Sequence, residues 1–517
     1  MELTLDQKIG QMLSVGFDGL TAPDYILDWL ARGMVGGIVL FSRNIDTPEQ
    51  VAALTQSLRE AAAPLPLLIS IDQEGGRVAR LRQGFSESPG AMALGAADSE
   101  LLAEQVSQVL AAEMAALGIN WALAPVVDIA HNRDNPVIGT RSPGINPQRV
   151  GELAVAEVRG FQQGGTAATA KHFPGHGNTP VDTHVDMAVV SGDLTSLWEH
   201  DLLPFRMAVA AGVDVVMMSH VKFPALDADH PATLSRPVVT GLLRDKIGFD
   251  GLICSDCMEM KALGRYYGVG ERAVLGAQAG MEHLFFSHTR AYQEEAYQAL
   301  LAAAQTGALS LAQVDRAVAH VLALKARYPV TTAPDTTVIR QPAHLATMQA
   351  AARAGTVLLQ SDPACFPLKP DSGESVALVE FASYMDTEAM EHGALTAFST
   401  LLKPHLPGIQ TRSLKPADAD ADRLAQALRL AGEVDVLVVA TRNAHLWPVQ
   451  QQAAQELIFA ARQTILLCLA DPYDADVLTG AATVLCTCGD GQPSQAAVID
   501  ALLGHFQPAG KLPVALG

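Results

Sequence analysis

The chain has 517 residues, of which 49% are apolar and 17% charged, so it is long enough for two or three folded domains and too apolar to be intrinsically disordered. Its 35 basic and 55 acidic residues give a formal net charge of −20, which disfavours nucleic acid and anionic membrane surfaces as partners. Residues 1–6 show no signal-peptide pattern and no apolar run is long enough to span a bilayer, so we expect a cytoplasmic protein.

Short apolar runs recur through the first part of the chain and are separated by amphipathic helical patterns. The runs are continuously apolar, which is typical of parallel strands buried on both faces. This repeated alternation of strand and helix predicts an α/β fold with an N-terminal (β/α)8 barrel of the TIM type. The eight runs are 12–17, 37–41, 67–72, 121–127, 167–172, 213–219, 252–255 and 281–286.

A second group of apolar runs predicts a smaller domain after the barrel. A helical pattern at 311–328 is followed by residues 329–342, which are rich in Pro, Thr and charge and are interpreted as a linker. We therefore predict a catalytic barrel domain at 1–328, the linker at 329–342, and a C-terminal α/β sandwich domain at 343–517. The apolar runs of this domain are 356–359, 376–381, 434–440, 465–470 and 483–486.

The strand–helix junctions of the second domain carry no glycine-rich nucleotide motif, so we predict no nucleotide site and no cofactor. Polar residues do follow three of its predicted strands. They could reach the mouth of an active site or cap helices, and we favour the caps. They are Arg442, Asn443, His445, Asp471, Asp474 and Asp490.

Polar residues also follow six of the barrel runs, at their carboxyl ends. In barrels of this type the active site lies at the rim formed by these ends. Six strands that each deliver polar groups to one rim indicate an active site there. The residues are Ser42, Arg43, Asn44, Asp72, Gln73, Glu74, Asp128, Lys171, His172, Ser219, His220, Ser255 and Asp256.

The segment from Lys171 to His184 has the highest density of titratable groups in the chain. Its glycines and prolines predict a loop that follows a buried strand. Asp182 precedes His184 by two residues, and a carboxylate bonded to one ring nitrogen raises the basicity of the other, as in a general acid/base. A surface polar pair is the alternative. Metal binding by His172 and His176 is disfavoured because Pro-Gly between them prevents helical spacing, so we predict no metal site.

Asp256 directly follows the seventh apolar run, at the end of the predicted strand, where it could be a nucleophile, a metal ligand or a helix cap. Cys254 and Cys257 form a C-x-x-C pair around it. A zinc ribbon needs a second such pair, which the sequence lacks. We expect these cysteines to be small buried apolar residues, and six cysteines in all are ordinary for a reducing compartment.

Several strings resemble glycoside hydrolase family 3, and specifically its β-N-acetylglucosaminidase branch. They are Ile-Asp-Gln-Glu-Gly-Gly-Arg-Val-Ala-Arg at 71–80, Lys-His-Phe-Pro-Gly-His-Gly at 171–177 with Asp-Thr-His at 182–184, and Pro-Ala-Gly-Lys-Leu-Pro-Val at 508–514. The resemblance is dense over the barrel and loose over the second domain. It implies a two-domain enzyme made of a barrel and an α/β sandwich.

The resemblance also implies a role for individual residues. Asp256 matches the family's nucleophile, His184 the general acid/base of this branch, and Asp182 the carboxylate that pairs with it. Five further positions match residues that contact the sugar. They are Asp72, Arg80, Arg141, Lys171 and His172.

Residues and resemblance together predict a retaining exo-β-N-acetylglucosaminidase, with Asp256 forming a glycosyl-enzyme and His184 acting as acid and then base. The expected substrate is an N-acetylglucosamine-containing glycoside or muropeptide, in peptidoglycan recycling. Because an imidazole does not repel a phosphate dianion as a carboxylate would, phosphorolysis with inorganic phosphate is a competing hypothesis. A β-glucosidase of the same family and a carbohydrate-binding protein without catalysis are two further hypotheses.

Overall fold

The computed structural model describes residues 3–179, 182–370, 372–382, 397–416 and 420–517. The strands are β1 (Leu13–Val15), β2 (Gly37–Leu40), β3 (Leu68–Ile71), β4 (Gln73–Gly75), β5 (Val78–Ala79), β6 (Trp121–Ala122), β7 (Thr169–Phe173), β8 (Val215–Met218), β9 (Leu252–Cys257), β10 (His283–Phe286), β11 (Val357–Gln360), β12 (Val376–Phe381), β13 (Gln410–Leu414), β14 (Val436–Thr441), β15 (Thr464–Cys468) and β16 (Thr483–Cys486).

The α-helices are α1 (Leu5–Gln11), α2 (Asp24–Ala31), α3 (Pro48–Ala62), α4 (Ala91–Ala97), α5 (Glu100–Ala116), α6 (Pro147–Gln163), α7 (Leu194–Glu199), α8 (Leu202–Ala210), α9 (Lys261–Gly264), α10 (Val269–Ala279), α11 (Arg290–Thr306), α12 (Leu311–Arg327), α13 (Pro342–Ala354), α14 (Phe398–Leu402), α15 (Ala421–Glu433), α16 (Pro448–Ala460), α17 (Asp474–Val477) and α18 (Gln492–Leu502). A π-helix spans Pro237–Lys246.

Eight parallel strands form the barrel. Their order in the sheet is β6-β3-β2-β1-β10-β9-β8-β7. Parallel bridges from Trp121 to Ala167 and from Val126 to Lys171 join the two outer strands and close the sheet. Each predicted apolar run contains or overlaps one of these strands, so the prediction of a (β/α)8 barrel is confirmed. The short hairpin of β4 and β5, at the rim after β3, is an addition that the sequence pattern did not predict.

Helix α12 covers the amino-terminal end of the barrel. Its residues Val321 and Leu324, with Tyr328, pack in one buried cluster with Trp121 from β6. The Tyr328 hydroxyl donates to Asp214 Oδ2, just before β8, at 2.9 Å. With this end filled by side chains, the carboxyl ends of the strands form the end that can hold a ligand.

A buried lysine lies on the same helix. Lys325 is 2% exposed and its Nζ donates to Gln11 Oε1. Burial lowers the pKa of Lys325 from 10.5 to about 7. The nearby His283 is also buried, and burial together with the charge of Lys325 lowers its pKa to about 3, so His283 is neutral and does not repel or attract the amine strongly.

We expect the double substitution Gln11→Leu with Lys325→Met to stabilise the fold at pH 7 by about 2 kcal/mol, since it removes a desolvated amine together with its partner. The unfolded chain keeps a lysine pKa of 10.5 while the folded chain has about 7, so wild-type stability rises with pH across this window. The increase in the free energy of unfolding of the variant over wild type should therefore be largest below pH 7 and shrink towards pH 10.5. Denaturant unfolding at several pH values measures it. The partly exposed Lys8→Met is the control, and a gain independent of pH would contradict the assignment.

The second domain contains a six-stranded sheet in the order β11-β16-β15-β14-β12-β13. Strand β11 is antiparallel to β16, and the other pairs are parallel. Apolar clusters on both faces of the sheet pack against helices, so the predicted α/β sandwich is confirmed. The limits of the domains stay a prediction, since α13 contacts α4 and α5 of the barrel as well as α18.

Strand β13 was not predicted from the sequence because it is an exposed edge strand with the polar sequence Gln-Thr-Arg-Ser-Leu. The carboxyl ends of β15 and β16 face the barrel, where Asp476 pairs with Arg133 at 2.7 Å and Asp490 lies 3.8 Å from Arg77. Within the described ranges, no helix combines the length and the apolar character that crossing a bilayer requires.

Candidate active site

A cavity of about 300 Å³ lies at the carboxyl ends of the barrel strands, and the described residues that line it all belong to the barrel. Of the eight residues predicted to act in catalysis or sugar binding, seven line it, and Asp182 lies behind one of them. The second-domain residues Arg442, Asn443, His445, Asp471, Asp474 and Asp490 are not among its lining residues. The seven are Asp72, Arg80, Arg141, Lys171, His172, His184 and Asp256.

Asp256 projects into the cavity from the carboxyl end of β9. Its Oδ1 accepts a hydrogen bond from Cys257 N at 2.6 Å. Burial raises the pKa of Asp256, but the neighbouring imidazoles of His220, His172 and His184 outweigh burial and hold the pKa below its usual value. The following helix, α9, has Met260 at its N-cap, so Asp256 does not cap it. The carboxylate is thus ionised and faces the cavity.

His220 supports Asp256 from the adjacent strand end. Its Nδ1 lies 2.8 Å from Thr233 Oγ1 and its Nε2 lies 2.9 Å from the Cys257 carbonyl oxygen. Since the Cys257 carbonyl oxygen can only accept, Nε2–H donates to it. The Thr233 hydroxyl lies between His220 Nδ1 and the Ser219 carbonyl oxygen, to which it donates at 2.7 Å. Burial lowers the pKa of His220, so the neutral ring is favoured.

His184 and Asp182 form the expected pair. Asp182 Oδ1 accepts from His184 Nδ1 at 2.7 Å and from His184 N at 2.9 Å. Burial raises the pKa of Asp182, but these bonds from His184 outweigh it and hold the pKa low. An ionised carboxylate at Nδ1 fixes the ring tautomer and leaves Nε2 as the basic atom. The side chain of His184 is 22% exposed and that of Asp182 is 7% exposed, so the carboxylate is the inner partner.

The loop that carries this pair rests on His176. The ring of His176 lies between Thr179 Oγ1 and Thr183 Oγ1, each at 3.0 Å. Burial and the nearby His172 lower the pKa of His176 to about 4, so its ring is neutral. Gly177 follows, and a Cβ there would lie 1.6 Å from the carbonyl oxygen of Ile129. His176 therefore supports the loop, and only glycine fits at 177.

Asp128 joins this loop to His172. One carboxylate oxygen accepts from His172 Nδ1 at 2.7 Å and from His172 N at 3.1 Å. The other accepts from His176 N at 2.6 Å. Burial raises the pKa of Asp128, but these bonds outweigh it and keep the carboxylate ionised. The contact leaves His172 Nε2 on the cavity side, 3.3 Å from a guanidinium nitrogen of Arg141.

The opposite side of the cavity is a buried ion network. Glu74 accepts both a 2.8 Å bond from Arg141 Nε and a 2.8 Å bond from Arg141 Nη2, and it pairs with Lys171 Nζ at 2.6 Å. Lys171 also donates to Asp72 Oδ1 at 2.8 Å, and Arg80 contacts Asp72 Oδ2 at 3.4 Å. Burial raises the pKa of Glu74, but the two cations outweigh it and hold the pKa far below the usual value. The network presents fixed donors and acceptors of the kind that bind sugar hydroxyls.

Three residues of this site were seen in the sequence only as rim residues and received no role: Glu74, Asp128 and His220. Glu74 and Asp128 hold the predicted site residues Arg141 and His172 in place, and His220 holds the backbone next to Asp256. Their signal was that they follow strands β3, β6 and β8, but their partners are distant in sequence, such as Arg141 for Glu74 at a separation of 67 positions. Among the residues that the structure describes, no group of three or more His, Cys, Asp and Glu side chains is arranged to hold a metal ion.

Replacing Glu74 with Gln removes the negative charge that neutralises the buried positive charges of Arg141 and Lys171. We expect the free energy of unfolding to fall by about 3 kcal/mol and KM for the substrate to rise by about tenfold as Arg141 loses its bidentate partner. Thermal unfolding and steady-state kinetics measure these effects. Glu87→Gln is the matched control, since Glu87 pairs with Arg82 at 3.2 Å and neither lines the cavity. Equal effects at both positions would contradict the role of Glu74.

The chain is similar to known proteins over both of its domains. Residues 4–324 match the model of the glycosyl hydrolase family 3 N-terminal domain. Beta-hexosaminidase A of Pseudoalteromonas piscicida is 29% identical over 99% of this chain and 97% of its own. A beta-hexosaminidase of Stenotrophomonas maltophilia is 41% identical over 55% of this chain and 85% of its own.

A solved structure resembles the whole chain. It is a glycoside hydrolase family 3 beta-N-acetylglucosaminidase from a Paenibacillus species, which is 37% identical, has a TM-score of 0.94 and covers 100% of this chain and 99% of its own. The match therefore includes both domains and their arrangement. The chain belongs to glycosyl hydrolase family 3 and is a glycosidase.

Proposed function

We propose that the protein is a retaining exo-β-N-acetylglucosaminidase that removes terminal β-linked N-acetylglucosamine. The observation that carries this proposal is the meeting of an ionised Asp256 and the His184–Asp182 pair in one cavity. One group can attack carbon and the other can move a proton. The relatives named as beta-hexosaminidases and the structure named as a beta-N-acetylglucosaminidase support this sugar over glucose.

The reaction would begin with binding of one sugar against Asp72, Arg80, Arg141, Lys171 and His172. Asp256 then attacks the anomeric carbon and forms a covalent bond, while His184 Nε2–H protonates the leaving oxygen as the glycosidic bond breaks. In the second step the neutral His184 takes a proton from water, the water oxygen attacks the anomeric carbon, and Asp256 leaves as a carboxylate. Two inversions at one carbon give net retention.

Asp182 has a separate task in this scheme. It stays ionised in both steps, because His184 holds its pKa low. Its negative charge stabilises the imidazolium that must form when His184 accepts the proton of water. In the second step the negative charge of the pair lies on Asp182, behind the neutral imidazole ring. An anionic acceptor therefore meets this charge at a greater distance than it would meet the charge of a carboxylate acid/base.

Product analysis on an N-acetylglucosamine disaccharide, with and without inorganic phosphate, tests the proposal. We expect release of free N-acetylglucosamine, first as the β-anomer, and faster turnover of an aryl N-acetylglucosaminide than of the aryl glucoside. A first product with the α-configuration would contradict retention, and preference for the glucoside would indicate a β-glucosidase. A sugar 1-phosphate in the phosphate sample would indicate a phosphorylase.

We further propose that the natural substrates are muropeptides or related cell-wall fragments, processed in the cytoplasm during peptidoglycan recycling. Fractionation of producing cells and turnover of purified muropeptides test the location and the substrate separately. Enzyme found outside the cytoplasm, or activity restricted to chitin oligomers, would contradict this assignment.

A further inference from the structure

The loop at residues 132–141 connects three parts of the molecule. At its end it carries Arg141, which lines the cavity and binds Glu74. At its start it contacts the second domain, and in its middle it contacts the loop that carries His184. We call this second loop, which comprises the described residues 174–179 and 182–193, the dyad loop because it carries the His184–Asp182 pair.

The contact with the second domain is made by Arg133. Its guanidinium pairs with Asp476 Oδ2 at 2.7 Å and lies 5.1 Å above the ring of Tyr473. The backbone oxygen of Arg133 accepts from His445 Nε2 at 3.3 Å, and His445 Nδ1 donates to Asp474 at 3.1 Å. The side chains of His445 and Asp474 are 1% and 0% exposed, so they form a rigid base for the contact.

The contact with the dyad loop is made by Asn135, which is 4% exposed. Its Nδ2 donates to the carbonyl oxygens of His176 and Gly177 at 3.0 and 3.1 Å and lies 3.2 Å from Thr179 Oγ1. Its Oδ1 accepts from Val137 N at 2.9 Å, which shapes its own loop towards Arg141. One side chain therefore fixes both loops relative to each other.

Asn132 adds a parallel connection, since its backbone nitrogen donates to Gly177 O at 3.3 Å and its side chain to Thr179 O at 3.3 Å. From Thr179 the contacts continue through the ring of His176 to Thr183, the residue between Asp182 and His184. Hydrogen bonds and short stretches of backbone thus connect the second domain to the proposed acid/base.

We propose that Arg133 is a positioning residue through which the second domain holds both Arg141 and the dyad loop in their catalytic places. This inference rests on the proposed function, because it assigns the His184–Asp182 pair to proton transfer. The described part of the second domain contributes no lining residue to the active-site cavity. In this proposal the second domain acts on Arg141 and the dyad loop through Arg133, with Asn132 and Asn135 as the connecting residues. A shift of about 1 Å in a catalytic group is enough to lower the rate substantially.

The test compares Arg133→Leu and Asp476→Asn with a matched control. Arg353→Leu breaks a pair of the same N–O distance, 2.7 Å to Asp500, with similar side-chain exposure of 43% and 18% against 36% and 20%. Arg353 also lies over an aromatic ring, Phe506, at 5.5 Å. It differs in that its partners lie in the second domain, away from both active-site loops. Arg133→Lys, which keeps the charge but not the planar fork, is the conservative variant.

The readout is kcat/KM for two aryl N-acetylglucosaminides, one with a good leaving group (2,4-dinitrophenol) and one with a poor one (phenol). Arg133→Leu should lower kcat/KM by about tenfold or more for the poor leaving group, which needs proton donation, and clearly less for the good one. Asp476→Asn should act in the same direction, Arg133→Lys should recover part of the loss, and the double variant Arg133→Leu with Asp476→Asn should lose no more than Arg133→Leu alone. Arg353→Leu should stay within about twofold of wild type for both substrates.

Equal losses for Arg133→Leu and Arg353→Leu, or a loss in Arg133→Leu that does not depend on the leaving group, would overturn the inference while leaving the proposed function intact. Because Asp476→Asn changes only one atom group, it tests the same contact if Arg133→Leu fails to fold. Wild-type enzyme that hydrolyses neither substrate would overturn the proposed function and this inference together.

Discussion

Asp256→Ala is expected to lower kcat for an aryl N-acetylglucosaminide by at least about 10⁴-fold, the scale that follows removal of a covalent nucleophile. The carboxylate is buried, ionised and surrounded by three imidazoles that lower its pKa, and alanine would leave only a methyl group in its place at the end of β9. Steady-state kinetics with the 2,4-dinitrophenyl glycoside give the loss, and circular dichroism shows whether the fold is kept.

The products formed in the presence of azide distinguish the loss of a nucleophile from the loss of an acid/base. In Asp256→Ala, azide can enter the vacated space and attack the anomeric carbon of the substrate directly, which gives the α-glycosyl azide. An acid/base variant would instead form the glycosyl-enzyme and give the β-glycosyl azide. Formation of the β-product by Asp256→Ala, or turnover within about tenfold of wild type, would contradict the assignment of Asp256.

His184→Ala is expected to act selectively. The loss should be about 10²- to 10⁴-fold for substrates with poor leaving groups, which require proton donation, and much smaller in the first step for 2,4-dinitrophenolate. For that substrate the second step becomes limiting, because no base activates water, and the glycosyl-enzyme accumulates. A burst of dinitrophenol followed by a slow steady state is the expected time course.

Azide, which needs no general base, should then accelerate the steady state of His184→Ala and give the β-glycosyl azide. Asp182→Asn is the companion variant, since it removes the charge that accepts the 2.7 Å bond from His184 Nδ1 and should lower the rates of both steps. Losses in His184→Ala that are equal for all leaving groups would contradict an acid/base role and would place His184 among the residues that only bind substrate.

Much of the barrel could be predicted from the sequence, because its strands are buried on both faces and therefore appear as continuous apolar runs. Elements without this property were not predicted. Strand β13 is an exposed edge with polar residues, and the β4–β5 hairpin is too short for a periodic pattern. Their existence depends on tertiary pairing with β12 and on the rim of the barrel, which a local pattern does not contain.

The candidate site also contains residues that could be predicted from the sequence and residues that could not. Residues at strand ends, such as Asp72 and Asp256, could be predicted because the barrel brings all strand ends to one rim. The partners that fix them could not. Glu74 was visible at the rim, but its bidentate bond to Arg141 spans 67 positions, and the contact of Arg133 with Asp476 spans 343. Such pairs depend on the path of loops and on the docking of the second domain.

The helix that fills the amino-terminal end of the barrel also limits how the chain can be divided. Because Val321, Leu324 and Tyr328 form the floor beneath Trp121, a fragment that ends before α12 would expose apolar side chains to water and should aggregate. A fragment that ends just after Tyr328 keeps this floor and every described lining residue of the active-site cavity. This fragment would lack the contacts that the second domain makes with the active-site loops. A chain truncated after Tyr328 should therefore fold but have a lower kcat/KM than the full-length enzyme.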